Sequence, residues 1–363
     1  MKKICMMFCD MKKSSGVSNV AIEIANFLVS TKRYEVTLVP IYEWGGSVRD
    51  KLSSSVKVRP IFKFYFKGFS KLVNIIPNKL LHDIFVGKEK YDIEIGFQYG
   101  KATMIMASGQ SDKHVTLGWM HCYDEGLLLR SCYEKFDKMV CVSKCNADRL
   151  KIELNHSLPI DFCYNPIDEK VILGQASEPI DILKDKNVQM VSVARHSPEK
   201  GYSMLLKVIK RLKDEQFRFN MWLIGDGPAH ENLICESHQL GIDDYVTFLG
   251  NQKNPHKYTS KADLYVCSSF IEGYSTACTE ALLLGVPVLT TDCAGGEEIV
   301  NESEVGKLVE QNEQSLYQGL KDVLENPLVI SEWKNKLSTT KERFTQKARF
   351  KKLLDILENT NKR

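Results

Sequence analysis

Two acidic side chains, Glu272 and Glu280, flank a turn and the start of a helix in VCSSFIEGYSTACTEALLLGVPVLTTDCAGG, residues 266–296. Gly273 and Tyr274 form the turn between them. Ser275, Thr276 and Thr279 follow, small polar residues suited to opening a helix. Gly285, Val286 and Pro287 stop that helix and feed an apolar strand. A helix start offers N–H groups without intrahelical partners and a partial positive charge, which together suit phosphate. Carboxylates accept hydrogen bonds from hydroxyls. The combination fits a ligand with hydroxyl-bearing groups on either side of a phosphate bridge, as in a nucleotide sugar.

Other residues could add to that chemistry. Arg195 and Lys200, in ARHSPEKG (194–201), follow a buried-type strand. Two basic loop residues are ordinarily just solvated. Here both fall at the carboxyl edge of a parallel sheet, where ligands bind in such folds. Arginine offers a fork for phosphate oxygens and lysine a mobile point charge, so the pair suits a departing diphosphate. Gly225 and Gly227, in LIGDGP (223–228), serve equally well as a tight turn or as room for a nucleotide against the backbone. His121 ends a strand in GWMHCYDE; a lone histidine is more often structural, and Asp124 is its weaker neighbour. Gly16, with Ser15, precedes an amphipathic helix in KKSSGVSNVAIEIA. The absence of G-x-G-x-x-G after the first strand argues against a nicotinamide dehydrogenase.

These segments, in this order, resemble the retaining family 4 glycosyltransferases of the GT-B fold. The resemblance is carried by Glu272-x7-Glu280, by Arg195-x4-Lys200, by LIGDGP and by YNPID (164–168). It spans about residues 160 to 300; the first half matches only loosely. It implies that Glu280 holds the donor's ribose hydroxyls and Glu272 those of the transferred sugar. Residues 273–276 would hold the diphosphate through backbone N–H groups. His121 would contact the sugar or the reacting centre. The family's usual Gly-Gly pair is Ser15-Gly16 here, which weakens a phosphate role for that loop without removing it. Retention of configuration is implied, by front-face attack of the acceptor hydroxyl as the diphosphate leaves. The nearest resemblance is to bacterial enzymes of capsule or lipopolysaccharide assembly, which places a lipid-linked or oligosaccharide acceptor at the inner face of the cytoplasmic membrane. A nucleotide-sugar 2-epimerase and a non-catalytic glycosyltransferase-like partner subunit are the rival readings. No Asp-x-Asp element occurs, so a metal-independent reaction with no cofactor is expected, the nucleotide sugar being substrate.

The elements that must position these residues alternate from end to end. Short apolar runs at 3–9, 34–41, 93–97, 115–121 and 139–143 read as strands, and 17–31 as a helix. The rhythm restarts with strands at 188–194, 219–224, 246–249, 264–267 and 287–291, and helices at 202–214 and 229–240. That pattern predicts two Rossmann-like α/β domains with parallel sheets facing a central cleft. Residues 1–170 form the acceptor side and 171–344 the nucleotide-sugar side; the polar stretch 169–186 is read as a linker. Helix 345–363 is free to pack back on the first domain.

Composition bounds the rest. A chain of 363 residues exceeds what one core usually serves. Its 43% hydrophobic and 26% charged content is that of a globular protein, and a net charge of +3 does not imply nucleic acid. Eleven cysteines without a C-x-x-C pair fit reduced thiols in the cytoplasm better than disulfides or zinc. No run of about 18 apolar residues exists to span a membrane. The segment KVRPIFKFYFKGFSK (57–71) holds Lys57, Arg59, Lys63, Lys67 and Lys71, five aromatics and no acid. It reads equally as a core helix with a solvated face or as a patch that meets an anionic membrane surface.

Overall fold

The computed structural model describes residues 1–11, 16–43, 48–109, 112–123, 129–182, 186–301 and 304–363. Two compact units divide the chain: Met1–Pro166 with Arg349–Arg363, and Ile167–Ala348. Ser15 and Asp124 lie outside the described residues.

The first unit is built on strands β1 (Lys2–Asp10), β2 (Tyr34–Tyr42), β3 (Lys57–Val58), β4 (Ile93–Gly96), β5 (Val115–Met120), β6 (Lys138–Cys141) and β7 (Ile160–Phe162). Their order is β3-β2-β1-β4-β5-β6-β7, every pair parallel. Sequences such as ICMMF are apolar on both faces because helices cover both faces of such a sheet. Helix Gly16–Ser30 buries Val20, Ala21, Ile24, Ala25 and Leu28. Helix Gln346–Asn359 buries Phe350, Leu353, Ile356 and Leu357. Its Phe350 ring stacks on Phe27 with centroids 3.6 Å apart, which fastens it to this unit.

The second unit holds β8 (Val188–Val193), β9 (Phe219–Ile224), β10 (Val246–Gly250), β11 (Leu264–Cys267), β12 (Val288–Thr291) and β13 (Gly306–Val309), in the order β10-β9-β8-β11-β12-β13. All are parallel. Helix Tyr202–Asp214 turns Leu205, Leu206, Val208, Ile209 and Leu212 inward, the 3.6-residue stripe of an amphipathic helix. The chain leaves β8 toward one edge of the sheet and returns to β11 on its other side, so the loops after these two neighbouring strands diverge at the carboxyl edge. That reversal is where open α/β sheets make room for ligands.

Two expectations need correction. The stretch read as a linker begins with a helix, Glu169–Ala176, because Asp168 caps it: one carboxylate oxygen accepts from the N–H of Lys170 (3.1 Å) and Val171 (3.2 Å). Segment 57–71 is not a helix. It starts as the edge strand β3, runs irregularly, and becomes helical only at Phe69–Ile75. Phe62, Tyr65 and Phe69 cluster on Tyr42, with Phe62 and Phe69 centroids 5.1 Å apart and Tyr42 and Tyr65 at 5.2 Å. Phe64 and Phe66 stay 56% and 53% exposed. Lys57 and Arg59 pair with Glu35 and Glu89, so Lys63, Lys67 and Lys71 carry the patch's outward charge.

Glu94, in the middle of the first sheet, is 2% exposed. His82 Nε2 bonds it at 2.9 Å, and His114 Nε2 lies 3.3 Å from the same oxygen, out of hydrogen-bond alignment. Burial would raise the Glu94 pKa; the two histidines outweigh it and hold it below the usual carboxylate range. A depressed carboxyl contributes stability above its unfolded value of 4.5, which is lost as pH falls through the folded value. His82→Leu is expected to destabilise the first unit by about 3 kcal/mol at pH 7. Hydrogen exchange of the β4 amides measures that loss, which should shrink below pH 4.5 as Glu94 takes up a proton.

Candidate nucleotide-sugar site

Two loops at the carboxyl edge of the second sheet are tied to each other by charge and by backbone. After β8, the chain passes Arg195 and Ser197, makes a single 3-10 turn at Pro198–Lys200 and enters its helix through Gly201. After β11 comes the segment 268–275. Lys200 Nζ donates to Glu272 Oε1 at 2.9 Å, and Ser269 Oγ donates to the same oxygen at 2.8 Å. Ser268 Oγ donates to the Lys200 carbonyl (2.9 Å), and the Phe270 N–H to the Glu199 carbonyl (2.8 Å).

Burial opposes charge at both ends of the Lys200–Glu272 pair. On the lysine the neighbouring carboxylate overcomes burial and raises the pKa. On the glutamate burial outweighs what the ammonium gives back, and the carboxyl rises above its ordinary value.

Gly201 makes the junction possible. Its φ is +68°, and a Cβ there would lie 2.0 Å from the Ser268 carbonyl oxygen. Gly225 does the same for the loop after β9, where a Cβ would meet the Ala194 carbonyl at 1.9 Å; at Gly227 it would meet that of His196 at 2.4 Å. What these glycines admit is the protein's own backbone, fixed by His196 N–H to Asp226 O (3.0 Å) and Ala229 N–H to His196 O (2.9 Å).

Arg195 is two-thirds exposed and reaches Glu199 Oε1 at 3.1 Å. Ser197 Oγ donates to that oxygen at 2.6 Å. Burial alone would raise the Glu199 pKa, but the serine and the guanidinium hold it below the usual range. Arg195 and Lys200 thus leave the same turn toward different carboxylates.

Helix Thr276–Leu283 opens beside Glu272. Ser275 caps it, its Oγ accepting from the Cys278 N–H at 3.3 Å, while Thr279 Oγ1 donates to the Ser275 carbonyl at 3.0 Å. Both hydroxyls serve the helix, and Thr279 is fully buried. The N–H groups of its first turn, at Thr276 and Ala277, have no intrahelical partner. Tyr274 is buried, its ring close to Gly295. Gly273 precedes it in the turn. Glu280 lies one turn further along, 29% exposed, with His256 Nε2 at 3.2 Å from Oε2.

Glu272, Lys200, Arg195, residues 273–276 and Glu280 therefore share one edge of one unit. His121 and Gly16 belong to the other. Gly16 starts its helix with open space around its α-carbon. His121 follows β5, and its Nε2–H donates to the Phe97 carbonyl at 2.9 Å. Burial pushes its pKa down to about 4, only partly offset by that bond, so the ring is neutral and presents Nδ1 as an acceptor. Sequence reasoning did not single out His256, Ser269 or Glu199. Their residue types are common, and their roles follow from loops that meet only in the fold. Among the described residues no group of three histidine, cysteine, aspartate or glutamate side chains is arranged to hold a metal ion.

Replacing Gly201 by alanine is expected to part the two loops at a cost of roughly 1–3 kcal/mol. The check is a lowered melting temperature together with weaker nucleotide binding than in Gly174→Ala, where a Cβ meets open space.

Residues 176–349 match the family of glycosyl transferases group 1. A Campylobacter jejuni protein named N-acetylgalactosamine-N,N'-diacetylbacillosaminyl-diphospho-undecaprenol 4-alpha-N-acetylgalactosaminyltransferase is 32% identical over 220 residues. That alignment covers 60% of this chain and 59% of the relative's length. The lipopolysaccharide core biosynthesis glycosyltransferase LpsE of Rhizobium meliloti is 26% identical over 298 residues, 82% of each chain. The fold is shared with the crystal structure of Anabaena Alr3699/HepE in complex with UDP, at a TM-score of 0.72 and 17% identity, covering 99% of this chain and all of that one. Residues 176–349, nearly the whole second unit, thus match the group 1 glycosyl transferases, and the chain has the GT-B fold.

Proposed function

We propose that this protein transfers a hexose or N-acetylhexosamine from a UDP-sugar to a hydroxyl of a lipid-linked or glycan acceptor in bacterial cell-envelope polysaccharide assembly, with retention of configuration. One observation carries the reading: Glu272 is held by Lys200 and Ser269 beside the open end of helix Thr276–Leu283, with Glu280 a turn away. Glu272 takes the hydroxyls of the transferred sugar and Glu280 those of the ribose, while the main chain at 273–276 takes the diphosphate. Gly225 and Gly227 act through the loop they tighten. In the first unit, His121 offers a neutral acceptor nitrogen to a sugar hydroxyl. The acceptor class draws support from the diphospho-undecaprenol in the Campylobacter relative's name and from the lipopolysaccharide role in that of LpsE. The UDP in the Anabaena structure supports the base.

In the reaction, the bond between the anomeric carbon and the diphosphate oxygen breaks, and the acceptor oxygen bonds to that carbon on the same face. The acceptor's proton passes to the leaving phosphate. Negative charge develops on that phosphate, where Lys200, Arg195 and the first-turn N–H groups stabilise it without a metal ion or cofactor. Arg195 is exposed enough to swing from Glu199 toward a diphosphate by side-chain rotation. The test is a panel of UDP- and GDP-sugars scored by thermal shift, then by transfer to polyprenyl-diphosphate glycans. One UDP-sugar should raise the melting temperature. Arg195→Met and Glu272→Gln should each lower kcat by about 100-fold or more. Isomerisation of the donor without transfer would overturn the reading.

We also propose that the first unit meets an anionic lipid surface on the cytoplasmic side. Phe64, Phe66, Leu72 and Ile75 are more than half exposed and interleave with Lys63, Lys67 and Lys71 in a stretch without acids. Among the described residues no helix is long and apolar enough to cross a membrane. The protein should float with vesicles containing phosphatidylglycerol and not with pure phosphatidylcholine. Lys63→Glu with Phe66→Ser should abolish flotation, and salt should weaken it.

A further inference from the structure

Glu280 is not left to orient itself. His256 opens the short helix His256–Thr259, with its Nε2 3.2 Å from Glu280 Oε2 and its Nδ1 2.7 Å from Gln175 Oε1. The ring is 14% exposed. Gln175, near the end of helix Glu169–Ala176, also accepts at its main-chain oxygen from Asn254 Nδ2 (2.9 Å). Asn254 Oδ1 takes the Lys257 N–H at 3.3 Å, and Ser260 Oγ donates to the Ala176 carbonyl at 3.2 Å. The loop after β10 is thus bracketed to the helix that Asp168 caps, and the imidazole is fixed at both nitrogens. An anchored ring that donates to one carboxylate oxygen removes the side-chain freedom of that glutamate and leaves its other oxygen to a ligand. Side-chain freedom is what a binding group otherwise loses on meeting its ligand.

We infer that His256 is a positioning residue for the donor: it aims Glu280 at the ribose hydroxyls, and Gln175 holds the imidazole in place. The inference rests on the donor reading above and adds to it the residue that sets discrimination at the ribose. His256 touches neither the transferred sugar nor the diphosphate. Its loss should therefore raise the KM for donor and leave kcat at saturation unchanged.

The experiment compares UDP with 2′,3′-dideoxy-UDP by calorimetry on the full chain and on His256→Phe and His256→Gln. The wild type should prefer UDP by about 10-fold or more, equivalent to about 1.4 kcal/mol. His256→Phe keeps a planar ring without an N–H and should bring the two affinities within about threefold, a difference below 1 kcal/mol. His256→Gln still presents an N–H and should recover most of the preference. An undiminished preference in His256→Phe overturns the inference. A wild type that binds UDP but ignores the missing hydroxyls also overturns it, together with the ribose role of Glu280, and leaves transfer from a nucleotide sugar standing. A wild type that binds no nucleoside diphosphate overturns the donor reading itself. Should His256→Phe fail to fold, Gln175→Ala removes the ring's anchor instead; an unchanged preference there again overturns the inference.

Discussion

The Lys200–Glu272 pair is the contact on which the second unit's site depends. It joins the loops after β8 and β11, the two strands between which the sheet reverses its winding. Loops at such a reversal diverge by topology, so a crevice is built there without effort, but its walls need fixing. An ion pair largely shielded from water, strengthened by Ser269, by the Ser268 hydroxyl on the Lys200 carbonyl and by the Phe270 N–H on the Glu199 carbonyl, supplies that fixing. Under the proposed function the same groups contact the sugar diphosphate. Glu272 is held by its cation, with burial already raising its pKa.

Close approach of main chain to main chain is the second constraint. Gly201, Gly225 and Gly227 each stand where a methyl group would overlap a carbonyl oxygen. From the sequence these glycines were equally compatible with a nucleotide lying against them. The fold shows that the space they leave is filled by residues 194–196 and 268. What they contribute is rigidity of the main chain: they hold the backbone of the loops that carry Arg195 and Lys200 against residues 194, 196 and 268.

Much of the architecture was legible because it follows from local pattern. Apolar runs of four to six residues, such as LYVC and FNMWLI, could be buried only between two helical layers, and they became β11 and β9. The helix at Tyr202–Asp214 was set by its amphipathic stripe. Less was legible where a single residue decided the outcome. Gly174 and Pro179 made 169–186 look like a linker, and the cap from Asp168 turned its first half into a helix. In 57–71 the mixture of aromatic and basic residues did not reveal which rings would face Tyr42 and which would face water. That choice depended on β3 pairing with β2 at the sheet edge.

The pair Glu272 and Glu280 shows the boundary between the two kinds of information. Their spacing placed one on a turn and one on a helix face, and both positions hold. Nothing in the spacing told that the two carboxylates would be treated differently. Glu272 is gripped by a cation and a hydroxyl, which pull it into the body of the unit. Glu280 is steadied from outside, by a ring on a loop more than twenty residues away, itself held by a helix that the sequence disguised. A carboxylate tied to a buried lysine exchanges its partners at an electrostatic cost, which suits a group that responds as charge moves at the reacting centre. A carboxylate steadied by a neighbouring imidazole keeps its direction and changes little, which suits one that recognises an unreacting ribose. Under the proposed function, the division of labour between the two acids resides in their neighbours, and it is these neighbours that the fold had to supply.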